Sequence, residues 1–227
     1  MRIEEARAMD FEAARIKMVD NQVRTTDVTS HTVLSAFLAV PREAFVPENR
    51  KQLAYIDTDI PVSQADGGRY VMEPSPLAKL LQLGEIARTD SVLEIGCTTG
   101  YTSALLSLLG KDVTALDSDA ELAAQAKANL SSLGYANVEV VTGPLEAGYP
   151  SKAPYDVIFV NGAIEVVPEA LTSQLRDGGR LIAVVGFGNA SRAKVFMREG
   201  GKAAERKAFN TAVKPLPGFR VAKEFVF

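Results

Sequence analysis

The chain predicts a doubly wound α/β fold: a mostly parallel sheet flanked by helices, with an antiparallel C-terminal strand and helices at its N-terminus. Three observations predict it. Strand-like and helix-like segments alternate from Pro76 to Gly186. The strands are apolar at consecutive positions instead of every second one, as strands covered on both faces are. A glycine turn, Gly96-Cys97-Thr98-Thr99-Gly100, leads from the first such strand into a helix. With 227 residues, one domain is expected over 1–227, with 1–75 as a helical and loop extension and 76–227 as the core.

Taken in order, Glu4 to Met18 mixes Phe11, Ile16 and Met18 with charges and predicts a surface helix. Ser30 is placed to cap a second helix that turns Val33, Leu34, Phe37 and Leu38 to one side and stops at Pro41. Pro41 to Pro74 is irregular, rich in Pro and Gly, and too long for an idle connection. Ser75-Pro76 reads as N-cap and first helical position of a helix through Leu77, Leu80 and Leu81 that ends at Gly84. Strands are expected at Ser91–Gly96, Asp112–Asp117, Val138–Thr142, Tyr155–Asn161 and Arg180–Gly186. Between them fall helices from Tyr101 to Leu109, from the capping-box spacing Ser118-Asp119-Ala120-Glu121 to Leu133, and from Pro168 to Arg176. Ala193–Arg198 and Arg220–Phe227 read as closing strands separated by a polar loop.

Composition removes several classes of function. Hydrophobic residues are 47% and charged residues 23%, the proportions of an ordinary globular protein, so disorder is excluded. The 25 Lys+Arg are outnumbered by 28 Asp+Glu, and no polybasic run could neutralise several phosphates at once, so nucleic acid is not an expected partner. One Cys and one His leave no internal disulfide and no His/Cys metal site. No signal-like segment and no run of about 18 apolar residues is found, so a cytoplasmic protein that does not enter the membrane is expected. The oligomeric state stays open. His31, near a helix start, reads as a surface or capping residue, and chemistry falls to carboxylates, hydroxyls, backbone groups or a cofactor.

The glycine turn points to a ligand at the carboxyl end of the sheet. Gly96 lets the chain leave the strand sharply, and a helix starting at Tyr101 aims unpaired N–H groups at that edge. Asp117, 21 residues after Gly96, ends the next strand where a carboxylate can accept both hydroxyls of a ribose. A dinucleotide site would want Gly-x-Gly-x-x-Gly, and Thr98 occupies the middle glycine position. S-adenosylmethionine needs no pyrophosphate cradle, and Glu94 suits the positive amino group of its methionine tail. A tight turn beside a solvated Asp is the competing bland account.

The wider text resembles the protein-L-isoaspartate O-methyltransferase family over nearly the whole chain. The matching strings are Met18-Val19, Gln22-Val23-Arg24, Val40-Pro41-Arg42-Glu43-Ala44-Phe45-Val46-Pro47, Ala54-Tyr55-Ile56-Asp57 and Ile60-Pro61. They continue with Val92-Leu93-Glu94-Ile95-Gly96, Gly100-Tyr101, Ala153-Pro154-Tyr155-Asp156-Val157-Ile158, Gln174-Leu175 and Gly178-Gly179-Arg180-Leu181. The resemblance implies a Rossmann-like methyltransferase fold, S-adenosyl-L-methionine as cofactor and a peptide or protein carboxylate as substrate. It implies that Glu94, Gly96, Gly100 and Asp117 line the cofactor, and Cys97, Thr98, Ser118, Gly143, Pro144, Leu145 and Asn161 are expected to complete the cofactor-binding set. The expected activity is carboxyl O-methylation of isoaspartyl residues for protein repair. The alternatives are methylation of another acceptor, or binding of S-adenosylmethionine or a partner without isoaspartyl activity; a nicotinamide oxidoreductase is disfavoured by Thr98.

Departures from the family pattern fall at the site. The family loop Gly-Gln-Thr-Ile-Ser-Gln-Pro reads here Gly68-Arg69-Tyr70-Val71-Met72-Glu73-Pro74, with Met72 at the position of the active-site serine. Met72 offers no hydrogen-bond donor, and Glu73 is either a solvated acid or a base for a hydroxyl or amine acceptor. The family's Gly-Asp-Gly near adenine is Gly143-Pro144-Leu145, and its Thr after the fourth core strand is Asn161, expected to line the pocket. Ser75 is a better N-cap than a displaced active-site serine, and Cys97 a better buried filler than a nucleophile. A carboxylate acceptor is already ionised at pH 7, so alignment of the reactants can supply the rate without a general base.

Overall fold

Alternate residues of the central strands leave the sheet on opposite faces, and both sets are apolar. In the computed structural model, which describes residues 9–63 and 68–220, Val92, Val157 and Phe159 join one buried cluster while Leu93, Ile95, Ile158 and Val160 join another. This is the double burial that the uninterrupted apolar strands require.

The N-terminal part contributes α1 (Phe11–Met18), capped by Asp10, then a π-helical turn at Val19–Val23, and α2 (His31–Ala39), capped by Ser30. Residues 4–8 of the first expected helix lie outside the described residues. The Pro/Gly-rich stretch holds 3-10 turns at Arg42–Phe45 and Glu48–Leu53 and a small antiparallel pair, β1 (Ile60–Ser63) and β2 (Arg69–Val71). Then come α3 (Pro74–Leu83), β3 (Ser91–Ile95), α4 (Tyr101–Leu109), β4 (Asp112–Asp117), α5 (Ala120–Ser132), β5 (Val138–Thr142) and β6 (Tyr155–Ile164). The described chain closes with α6 (Glu169–Thr172), β7 (Leu175–Val185), β8 (Arg192–Glu199) and β9 (Lys202–Asn210).

The main sheet has seven strands in the order β5-β4-β3-β6-β7-β8-β9, parallel up to β7 and antiparallel in its last two pairings. Order reverses between β3 and β6, and the glycine turn after β3 sits at that switch point. One face packs on α2, α3, α4 and α5. The other is covered more thinly, by the turn at Leu145–Ala147, by α6 and by Leu216 and Phe219 from the C-terminal stretch. Among the described residues no helix is long and apolar enough to cross a membrane.

The structure departs from the sequence expectation at β9, at α6 and at the caps of α5 and α3. The segment expected as a polar loop is β9, an exposed edge strand whose polarity suits two wet faces and whose Glu205 pairs with Lys194 of β8 at 3.0 Å. The strand expected at Arg220–Phe227 lies, from residue 221 on, outside the described residues. The helix expected over Pro168–Arg176 is only α6, because Leu175 already pairs with Tyr155 as β7 begins. Helix α5 is capped by Asp119, not Ser118: the Asp119 carboxylate accepts from the N–H groups of Glu121 (2.9 Å) and Leu122 (3.2 Å). Likewise α3 begins at Pro74 with Glu73 before it, so Ser75 is not its cap.

Arg42 ties the N-terminal extension to the core. It is fully buried, its Nε donates to the Ala54 carbonyl (2.7 Å) and its Nη2 to the Met72 carbonyl (2.9 Å), and its guanidinium lies 4.7 Å from the centre of the Tyr101 ring. Burial holds its pKa below the ordinary arginine value. Replacing Arg42 by Ala leaves a cavity and two buried carbonyls unpaired, and we expect about 3–5 kcal/mol of lost stability in urea unfolding. Arg42→Met fills the volume without a buried charge and should cost less.

Candidate functional site

Backbone geometry first sets the turn. Gly96 has φ +87° and Gly100 φ +95°, the left-handed region that glycine enters freely. Thr98 lies there too, at φ +51°, a strained setting for a β-branched residue. What holds it is its own N–H, which donates to Asp117 Oδ2 at 2.8 Å. Thr99 Oγ1 donates to the Phe45 carbonyl at 2.6 Å, fastening the turn to the N-terminal extension.

Asp117 stands at the carboxyl end of β4, as its position in the sequence predicts, but it does not face an open site. The Arg69 guanidinium of β2 donates to both of its oxygens, Nη1 to Oδ1 at 2.8 Å and Nη2 to Oδ2 at 2.6 Å, in a bidentate pair that is almost wholly buried. With the N–H groups of Thr98 and of Asp119 (3.0 Å to Oδ1), the carboxylate has four donors. Its acceptor capacity is filled.

Glu94 is completely buried, and its oxygens are held by Ser103 Oγ (2.5 Å) and Asn161 Nδ2 (2.9 Å). It therefore buttresses α4 and β6, with one donor on each of its oxygens. Burial, opposed by those two hydrogen bonds, pushes its pKa up to about 7. Asn161 also donates to the Gly96 carbonyl at 3.2 Å and lines the cavity at this edge, as the sequence suggests. Cys97 is fully buried and burial raises its thiol pKa, in keeping with a filler.

The remaining candidates separate. Gly143 donates its N–H to the Asp117 carbonyl (3.0 Å), Pro144 and Ser118 are exposed, and Leu145 is buried with Leu116, Leu216 and Phe219 in the core. Leu145, expected beside the adenine, is a core side chain here. Met72 is buried, borders the cavity and packs in the core cluster of the extension. Glu73 is half-buried, and burial together with Asp57 and Asp59 raises its pKa. Ser75 is committed elsewhere: its Oγ lies 2.5 Å from Asp57 Oδ2 and 3.0 Å from the Gln22 carbonyl.

Two residues that shape the site have no role in the sequence reading. Arg69 reaches Asp117 across 48 positions of chain, and no local spacing signals that meeting. Leu216 arrives through backbone pairing with β6: the Ala163 N–H donates to the Lys214 carbonyl and the Leu216 N–H to the Ala163 carbonyl, each at 2.9 Å. A Cβ placed on Gly96 would stand 2.8 Å from Leu216 Cδ2 and 3.4 Å from Arg69 Nη2, and one on Gly162 would stand 2.7 Å from Leu216 Cγ. The cavity left among Arg69, Met72, Thr98, Asn161 and Leu216 is about 20 Å³. That admits a water and not a nucleoside, so the residues do not fit S-adenosylmethionine in this conformation.

Comparison with known proteins bears on the site as a whole. The family model described as Protein-L-isoaspartate(D-aspartate) O-methyltransferase matches residues 13–217. A protein-L-isoaspartate O-methyltransferase of Koribacter versatilis is 36% identical over 208 residues, 92% of either chain. One of Methanoregula boonei is 36% identical over 204 residues, 90% of this chain and 93% of the relative. Among solved structures, one titled protein-L-isoaspartate O-methyltransferase superposes with a TM-score of 0.80 at 27% identity, covering 90% of this chain and 67% of its own. A Plasmodium falciparum structure in complex with S-adenosyl-L-homocysteine has a TM-score of 0.75 at 16% identity, covering 92% of this chain and 98% of its own, and shows the shared fold.

The Glu94 carboxyl carries the clearest pH consequence. A folded pKa near 7 against an ordinary 4.5 means that the folded state binds the proton more tightly, so the stability associated with this group is present below pH 4.5 and lost as pH rises through 7. We expect a decline of up to about 3 kcal/mol across that window. Urea unfolding of Glu94→Gln at a series of pH values should be correspondingly flatter than that of the wild type.

Proposed function

This chain belongs to the protein-L-isoaspartate O-methyltransferase family, and from that premise we propose that it is an S-adenosylmethionine-dependent methyltransferase that esterifies isoaspartyl carboxylates of proteins. The observation that carries the reading is the pairing of the family match over residues 13–217 with an acid, Asp117, and a glycine turn at the switch point of a parallel sheet. Glu94, Gly96, Gly100 and Asp117 are the residues assigned to the cofactor side, with Asn161 closing it. The acceptor side is the segment from Arg69 to Glu73. A peptide or protein carboxylate as substrate and a cytoplasmic site of action complete the proposal.

The chain's own groups define what this site can contribute. Arg42, through the Met72 carbonyl, fixes the acceptor segment from inside the protein. Asp59 does the same from the other side, accepting the Glu73 N–H at 3.0 Å. Neither contact is a proton relay, and an ionised carboxylate acceptor needs none. The contribution supported here is positioning.

A second reading is favoured by a specific observation: Met72 puts a thioether where the family has a hydroxyl, and Glu73, Asp57 and Asp59 gather negative charge next to it. Repulsion there would disfavour an anionic acceptor and favour an amine or hydroxyl.

Transfer of a labelled methyl group from S-adenosylmethionine to an isoaspartyl peptide, with the aspartyl isomer as control, tests the assignment. Base-labile label on the isoaspartyl peptide alone is the expected result, and its absence with purified, folded protein would overturn the isoaspartyl assignment. Met72→Ser restores a donor at the acceptor position and should raise that turnover by up to about tenfold, the worth of one hydrogen bond. The same change costs about 2–4 kcal/mol of stability in thermal or urea unfolding, because a buried side chain is shortened.

A further inference from the structure

The ribose acid of the expected cofactor site is already bound, by this chain. Arg69 presents two N–H donors to the two Asp117 oxygens, at 2.8 and 2.6 Å, as a vicinal diol would present two hydroxyls. Leu216 covers the open face of Gly96, the point at which a ligand would approach the backbone. The two blocking groups are 147 positions apart in the chain, yet both meet at the same 20 Å³ remnant of a cavity. Asn161 Oδ1 and Arg69 Nε, both buried polar atoms of residues lining that remnant, have no hydrogen-bond partner among the described residues.

We propose that Arg69 is a specificity-determining residue that competes with the ribose diol of a nucleoside ligand for Asp117, so that ligand enters only as the ion pair opens and Leu216 withdraws from Gly96. The proposal rests on the reading of this edge as an S-adenosylmethionine site. The charge balance favours such a competitor. Asp117 is fully buried close to a second buried acid, Glu94, and a carboxylate in that setting is stabilised by a cation far more than by neutral hydroxyls. A ligand bringing only a diol therefore has to displace a stronger partner, and the guanidinium it releases becomes free beside Met72 and Glu73. Leu216 adds a steric barrier at the same place, so the ion pair and the leucine exclude the ligand jointly.

Titration calorimetry with S-adenosyl-L-homocysteine on the full chain, as wild type, Arg69→Lys and Arg69→Gln, decides the matter. The expected order is Gln tightest, by at least tenfold over the wild type, with Lys between, since an ammonium cannot hold both oxygens in the same fork. Equal or weaker binding by the folded variants overturns the competition while leaving the cofactor reading intact wherever the wild type binds. If Arg69→Gln does not fold, the Lys variant alone decides, tighter binding supporting the proposal and equal or weaker binding overturning it. Absence of binding at millimolar ligand in all of them, and in Arg69→Lys/Leu216→Ala, overturns both the cofactor reading and the proposal. Thermal unfolding supplies a separate readout: the ligand should raise the unfolding temperature of Arg69→Lys by more than that of the wild type. A merely structural arginine would lower both free and bound transitions alike.

Discussion

A carboxylate enclosed at the end of a parallel sheet has to be satisfied completely, and Asp117 is the place where this constraint organises the molecule. Four donors converge on it: two from Arg69, one from the strained turn at Thr98 and one from the start of α5 at Asp119. Through them the β1/β2 pair, the glycine turn, β4 and α5 are held to a single point. Burying the pair offers little net stability by itself, since desolvation of both ions offsets most of their attraction. Its effect is on arrangement: with one partner removed, the other would remain as an uncompensated buried charge, so alternative placements of β2 are strongly disfavoured.

The same economy operates one layer deeper. Glu94 is kept inside by Ser103 and Asn161, and Arg42 by the carbonyls of Ala54 and Met72. Glu94 joins α4 and β6 to β3, while Arg42 gathers the extension's own segments and lies over the Tyr101 ring of α4. The extension is thus fastened by polar contacts as well as by the apolar cluster that includes Val19, Phe37, Phe45 and Met72. Function inherits the consequence, because the acceptor segment from Arg69 to Glu73 lies between these anchors. It carries one residue, Arg69, bound into the expected cofactor side and another, Met72, packed into the core.

The framework was legible because it rests on local chemistry. Runs such as Val92-Leu93-Glu94-Ile95 announce strands buried on both faces, and Gly96 and Gly100 announce a backbone that leaves the strand in the left-handed region. Asp117 was legible for the same reason, being the last residue of an apolar strand. Edge elements were less legible. Lys202–Asn210 has the polarity of a loop and is a strand because β8 offers it an open edge, while Leu175 is drawn out of a helical pattern by pairing with Tyr155. Such pairings are set by neighbours far along the chain, not by the segment itself.

By itself the sequence determined the α/β class, the family, the glycine turn and the acid beside it, all of which follow from patterns within a few residues or from matching strings. Only the tertiary structure decided what that acid touches. The meetings of Arg69 with Asp117 and of Leu216 with Gly96 join residues 48 and 120 positions apart in the sequence, and no period or spacing encodes them. They arise because β2 and the Pro215-Leu216 segment are both led to the carboxyl edge of β3 and β6, where a buried charge and an uncovered glycine can be satisfied by the chain itself.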